Sequence, residues 1–157
     1  MPDGPRYDED FYAWTRYQAE VLRTLRTDDN RFDRENVAEE IESLGNSQRD
    51  AVRSQVRRVL EHLLKLAHSP SGRPRYGWIG SIIEARAALG DQLSAALRLD
   101  IAAALPRLYR DARRRAVASL LEYGEPEAAA SLPEACLYTL DDILRDDWYP
   151  EPAETAK

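Results

Sequence analysis

The chain has 157 residues, 43% apolar and 32% charged, with a net charge of −6 and a single cysteine. That is one domain's worth of chain, with too much apolar surface for intrinsic disorder. The longest apolar run, Ile101 to Pro106, falls far short of the ~20 residues a membrane helix needs. Cys136 on its own excludes an internal disulfide and a cysteine-rich zinc site.

The N-terminal Met1-Pro2-Asp3-Gly4-Pro5 lacks the basic-then-apolar order of a leader, so no signal peptide is expected. A soluble cytoplasmic protein follows, with residues 1–150 as a single helical domain and 151–157 as a solvated tail. Hydrophobic periodicity is helical almost throughout, and no strand and no internal repeat stand out. The first helix is expected to start at Asp8 as N-cap, with Tyr7 and Tyr12 as the hydrophobic staple. Phe11, Trp14, Gln18, Val21, Leu22 and Leu25 form its apolar face, fading near Arg26 before Asp28-Asp29-Asn30.

A second helix starts near Asp33. Its stripe, Val37, Ile41, Leu44, Gln48, Val52, Val56, Val59/Leu60, Leu63 and Ala67, keeps phase across Gly45-Asn46, which favours one long helix. Leu44-Gly45 also resembles a stop, and Ser47-Gln48-Arg49-Asp50 a fresh capping box. Ser69 to Pro74 reads as a loop. The third helix buries Trp78, Ile82, Ile83, Ala85, Leu89, Leu93 and Leu97, with Gly90 within it. Pro106 marks either the first turn of a fourth helix or a kink, because it lacks the N–H for the i−4 bond. Leu105, Leu108, Ala112, Ala116, Leu120 and Leu121 follow, up to Gly124. Glu127 to Ser131 adds a turn, and Thr139 caps a short last helix holding Leu140, Ile143 and Leu144. The expected fold is an all-α bundle of about five to six helices.

Charge is segregated along the chain. Residues 1–45 hold 12 acidic and 6 basic side chains, 46–115 hold 6 and 14, and 116–157 hold 10 and 2. A basic middle could face an anionic partner, or the acidic ends could neutralise it. Arg49, Arg53 and Arg57, spaced by four, form one row, and Arg110-Asp111-Ala112-Arg113-Arg114-Arg115 a cluster. Either could track phosphates. A pI near 5.0 disfavours nucleic acid, and pairing with carboxylates of the same chain or of a second copy suits the same spacing.

Five blocks, in order, resemble a bacterial family, the domain of unknown function numbered twenty-nine. They are Tyr7-Asp8-Glu9-Asp10-Phe11-Tyr12-Ala13-Trp14; Asn36-Val37-Ala38-Glu39-Glu40-Ile41-Glu42-Ser43-Leu44-Gly45; His62-Leu63-Leu64-Lys65; Trp78 with Ile82 and Arg86; and Tyr109, Ala112 and Arg113 with Pro133-Glu134-Ala135-Cys136-Leu137-Tyr138-Thr139 and Asp146-Asp147-Trp148-Tyr149-Pro150. They span about residues 7–150. Leu66, Leu137 and the segment after Arg115 depart from the family pattern. The resemblance implies an all-helical fold and supplies no catalytic residue.

The acidic block raises a carboxylate–histidine metal site built from Glu39, Glu40, Glu42 and His62. Bundle metal sites of that kind carry Glu-x-x-His motifs, and this chain has none. On one continuous helix Glu39 and His62 would stand roughly 34 Å apart. A solvated or salt-bridged acidic face and a boundary histidine account for the same residues. Cys136 reads as a small buried apolar side chain rather than a nucleophile, which would need a base and a lowered pKa. Serine-hydrolase signatures and phosphate-binding glycine loops are absent. A Schiff-base mechanism would rest on Lys65. No cofactor is expected. The leading reading is a non-enzymatic protein–protein interaction module, with self-association open. A metal-dependent enzyme using the helix carboxylates is the runner-up, and nucleic-acid binding comes third.

Overall fold

A computed structural model describes residues 3–72 and 74–152. Six helices account for the described secondary structure, and the described residues contain no strand. They are α1 (Phe11–Thr24), α2 (Arg34–His68), α3 (Arg75–Gln92), α4 (Ala95–Glu122), α5 (Pro126–Ser131) and α6 (Leu140–Leu144). Helix α2 runs unbroken through Gly45-Asn46. Two compact units are bounded by Met1–Val52 with Gln92–Asp100, and by Arg53–Asp91 with Ile101–Lys157.

In the first unit, α1 packs against the opening half of α2. The N-cap is Asp10 rather than Asp8, its carboxylate accepting from the Ala13 N–H at 3.0 Å. Tyr7 meets Phe11 and Trp14 edge-on, with ring centres 5.5 and 4.9 Å apart, instead of pairing with Tyr12. The other oxygen of Asp10 accepts from Ala96 N–H at 3.0 Å, inside the first turn of α4. One carboxylate therefore satisfies free amides of two helices. Ser94 adds the local cap, its hydroxyl accepting from Leu97 N–H at 3.3 Å. These caps explain why the chain breaks at Leu93-Ser94, whereas the apolar spacing extends α3 to Leu97.

Gly45 sits where the two helices cross. A Cβ there would lie 2.0 Å from Thr15 Oγ1 and 3.0 Å from Thr15 Cβ. Ala19 and Ala38 are likewise fully buried. Small residues thus let the backbones approach, and they turn α2 so that Ala38, Gly45 and Val52 face inward. The expected stripe is displaced as a result, and Val37 and Leu44 stand exposed.

The second unit has a conventional apolar core. It combines Val56, Val59, Leu60, Leu63, Leu64 and Leu66 of α2 with Trp78, Ile82, Ala85 and Leu89 of α3, and with Leu108, Tyr109, Ala112, Ala116 and Leu120 of α4. Ile83 and Leu121, expected inside, are exposed. Pro106 lies within α4 with its ring in solvent. There it costs one backbone hydrogen bond at a position where water can satisfy the freed carbonyl. Gly124 ends α4 in the left-handed region at φ +74°. Glu125 N–H reaches back to Leu120 O at 2.9 Å and Gly124 N–H to Leu121 O at 3.0 Å, the bonding of a Schellman stop. Thr139 and Asp142 form a reciprocal capping box on α6. Of the expected tail, Glu151 and Pro152 are exposed; residues 153–157 lie outside the described residues, as does Arg73 of the 69–74 loop.

Candidate functional site

The carboxylates of the acidic block do not converge. Glu42 pairs with Arg23 across the α1–α2 crossing, at 2.6 Å. Glu39 and Glu40 are exposed and have no ion-pair partner among the described residues. His62 lies 23 residues further along the unbroken α2, and its Nδ1 donates to Arg58 O at 2.7 Å. That bond fixes the neutral tautomer with its proton on Nδ1. Burial pushes the ring below the usual histidine range, with Lys65 and Arg58 adding to the shift against the carbonyl bond and Glu61. Among the described residues, no three His, Cys, Asp or Glu side chains gather as a metal ion would require.

The arginines separate into clamps and a groove. Arg113, on α4, donates to Pro133 O and Leu132 O, both at 3.1 Å, and the Tyr109 hydroxyl donates to the same Pro133 carbonyl at 2.5 Å. Its guanidinium holds the segment that follows α5. Arg49 pairs with its neighbour Asp50 at 3.1 Å. Arg53 is half-buried one turn further along α2. Arg57 differs: it lines a cavity of about 510 Å³ together with Asp111, Arg114, Arg115 and Ala118. Its ion pair with Asp111 is long, 3.9 Å, and its buried Nε has no hydrogen-bond partner. Two arginine clusters far apart in sequence thus meet in one groove, three guanidinium groups to one carboxylate.

Two polar clusters in the second unit were not apparent from sequence. Arg86, buried on α3, donates to the carbonyls of Asp142 and Ile143 at 2.9 Å each, of Trp148 at 2.9 Å and of Asp146 at 3.4 Å. It also lies over the Tyr149 ring at 5.3 Å. A single guanidinium therefore closes the end of α6 and the Asp146 to Pro150 block. The available signal was its place on the apolar stripe of α3, one turn after Ile82. In the second cluster, Ser69 donates to Glu125 at 2.7 Å and Ser71 donates to the other oxygen of that carboxylate, tying the loop after α2 to the start of α5.

Lys65 is buried too. Its Nζ stands 3.4 Å from Glu61 and from the Ser119 hydroxyl, and 5.4 Å above the Trp78 ring. The His62 to Lys65 and Trp78 blocks are thereby joined by an ion pair and a cation–π contact, an arrangement that fixes packing in a core. Cys136 Sγ–H donates to Tyr138 O at 3.3 Å, and burial pushes its thiol upward, away from the thiolate a nucleophile needs.

Most of the large exposed apolar side chains of the first unit lie on its two-helix hairpin. Leu44 is 58% exposed, Leu25 44%, and Val21, Phe32 and Val37 37% each. Val37, Ile41 and Leu44 recur at helical spacing on one flank of α2, and Trp14 and Val21 on one flank of α1, with Leu25 just past its end. The helices run in opposite directions, with Thr15 against Gly45 and Leu25 O accepting from Arg34 at 2.5 Å. Helix handedness then sets both flanks on the same side of the hairpin.

This architecture is that of an all-α protein whose buried polar groups serve mainly to clamp backbone. The chain belongs to the family described as Domain of unknown function DUF29, whose model matches residues 6–149. It is similar to the crystal structure, at 1.45 Å resolution, of an alpha-helical protein of unknown function from Rhodospirillum rubrum ATCC 11170. The TM-score is 0.80 at 25% identity, with 92% of each chain covered. No curated protein matches the chain. Among the described residues, no helix is long and apolar enough to cross a membrane.

Proposed function

We propose that the chain is a non-enzymatic helical module that binds another protein in a bacterial cytoplasm. The observation that carries this reading is the uncovered apolar flank of the α1–α2 hairpin. Its side chains have the spacing of a buried helix face, yet small residues on an adjacent face make the intramolecular contact. Contiguous apolar surface of this kind marks a recognition surface in soluble proteins. A lone half-buried cysteine supports the reducing compartment. The test is photo-crosslinking in the host cell from a benzoyl-phenylalanine placed at Leu44. A discrete protein adduct at position 44, absent from the same probe at the exposed Leu121, is the expected result. Equal or absent adducts at both positions would overturn the reading.

A second reading, binding of a phosphate-bearing polymer, is favoured by the convergence of Arg57, Arg114 and Arg115 in one groove. It predicts oligonucleotide binding that weakens steeply with salt and is lost in Arg57→Gln. Absence of binding at low salt would dispose of it.

A further inference from the structure

We infer that the partner seated on the hairpin is an amphipathic helix with large aliphatic side chains on one face and lysine or arginine along its edges. The inference rests on the interaction-module reading and names the chemistry of the partner at that same surface. Two features of the hairpin select it.

The first is shape. The crossing of α1 and α2 at Gly45, Thr15, Ala19 and Ala38 brings the backbones close. The flanking side chains, Val21 with Leu25 just past the end of α1, and Val37, Ile41 and Leu44 on α2, lie on one side of that crossing. A third helix lying along that side would set its ridge of side chains between the two rows. Tyr7 already covers one end of the α1 flank, against Phe11 and Trp14. The open part runs from Leu44, 58% exposed, to the connection, where Phe32 is exposed as well.

The second feature is charge. The first unit carries 14 acidic and 8 basic side chains, a net of −6 that equals the charge of the whole chain. Its basic groups are largely engaged: Arg6 with Asp8 and Glu9, Arg23 with Glu42, Arg31 with Asp29, Arg34 with Glu35, and Arg49 with Asp50. Glu40 lies three residues after Val37 and four before Leu44, so the α-helix places it directly beside the apolar row. Glu39 and Glu40 lack ion-pair partners among the described residues. A cationic edge on the partner would supply them. A second copy docking the same face by a two-fold axis would instead bring acidic edge against acidic edge, which costs affinity.

The experiment uses the full chain and two labelled synthetic helices of about 18 residues, or five turns. They share one leucine face and differ only in lysine or glutamate edges. Fluorescence anisotropy is expected to show saturable binding of the lysine-edged helix, at least tenfold tighter than the glutamate-edged one and weakened by salt. Leu44→Asp is expected to reduce that binding tenfold or more. Glu40→Lys should narrow the preference between the two helices, and Leu121→Asp should leave binding unchanged. Circular dichroism verifies that each variant is folded. Equal affinity for the two helices, or binding indifferent to Leu44→Asp, overturns the inference. A concentration-dependent dimer abolished by Leu44→Asp, with neither helix bound, also overturns it while leaving the interaction-module reading standing. Neither helix bound by a monomer overturns the inference, and a blank crosslink at position 44 would then remove the reading beneath it.

Discussion

Replacing Gly45 with alanine is the sharpest test of the α1–α2 crossing, because two opposing effects have known sizes. In an open helix interior, alanine is favoured over glycine by about 0.8–1.0 kcal/mol. At Gly45 the new Cβ would stand 2.0 Å from Thr15 Oγ1 and 3.0 Å from Thr15 Cβ. The hydroxyl cannot simply yield, since it donates to Tyr12 O at 2.7 Å in a fully buried position. Overpacking of this kind costs typically about 1–3 kcal/mol. Subtracting the propensity gain leaves about 0–2 kcal/mol, and the 2.0 Å approach to a hydroxyl held in place sets Gly45→Ala at the upper end, roughly 2 kcal/mol, a fall of about 4–8 °C in Tm for a chain of this size. Gly80→Ala, in α3 with nothing within 4 Å of its Cβ, should instead stabilise by up to about 1 kcal/mol. The pair is read by urea and thermal denaturation followed by circular dichroism. Thr15→Ala combined with Gly45→Ala should recover part of the loss, giving a coupling of about 0.5–3 kcal/mol between the sites. A Gly45→Ala protein as stable as the parent would refute the close crossing, and with it the reason Val37 and Leu44 point outward.

Other outcomes follow from the clamps and caps. Arg86→Lys keeps the charge but not the planar fork, so carbonyls near residues 142–148 lose their donors; a loss of about 3 kcal/mol or more is expected, with amide exchange accelerated selectively in that segment. Asp10→Ala removes one cap from each of two helices, about 1 kcal/mol apiece, and exchange should quicken near both Ala13 and Ala96. Burial lowers the pKa of His62 and of His68 in the folded state. The unfolded chain therefore binds protons first as pH falls through the ordinary histidine range near 6.5, and stability should decline from pH 7.5 to 5.5. The double variant His62→Gln/His68→Gln should flatten that decline in urea titrations; an unchanged slope would mean that other groups carry it.

Much of the fold was legible in the chain because its signals are local. Asp33, Thr139 and Gly124 act where their residue types and spacing place them. The errors fell where a distant partner decides. Asp10 prevails over Asp8 because its second oxygen has Ala96 to bind, 86 residues away. The α3–α4 break depends on the same contact. Apolar spacing misplaces the register of α2 because it weighs a leucine above a glycine, whereas a helix crossing is set by how closely two backbones can come. For the candidate sites, spacing located the arginines but not their uses. Arg113 and Arg57 look alike in sequence, yet one binds two carbonyls and the other leaves a buried Nε without a partner.

Arg86 has a consequence for how this chain evolves and is made. Its four hydrogen bonds to residues 142, 143, 146 and 148 all end on main-chain oxygens, so those bonds do not depend on which side chains stand there. Residues 142–148 are synthesised after α3, and four of their carbonyls find their donor on a helix made more than fifty residues earlier. A chain truncated before Asp142 would leave a guanidinium stranded in an apolar core, a charge that is costly to keep without its acceptors. The second unit thus closes properly only once the backbone of residues 142–148 has been made.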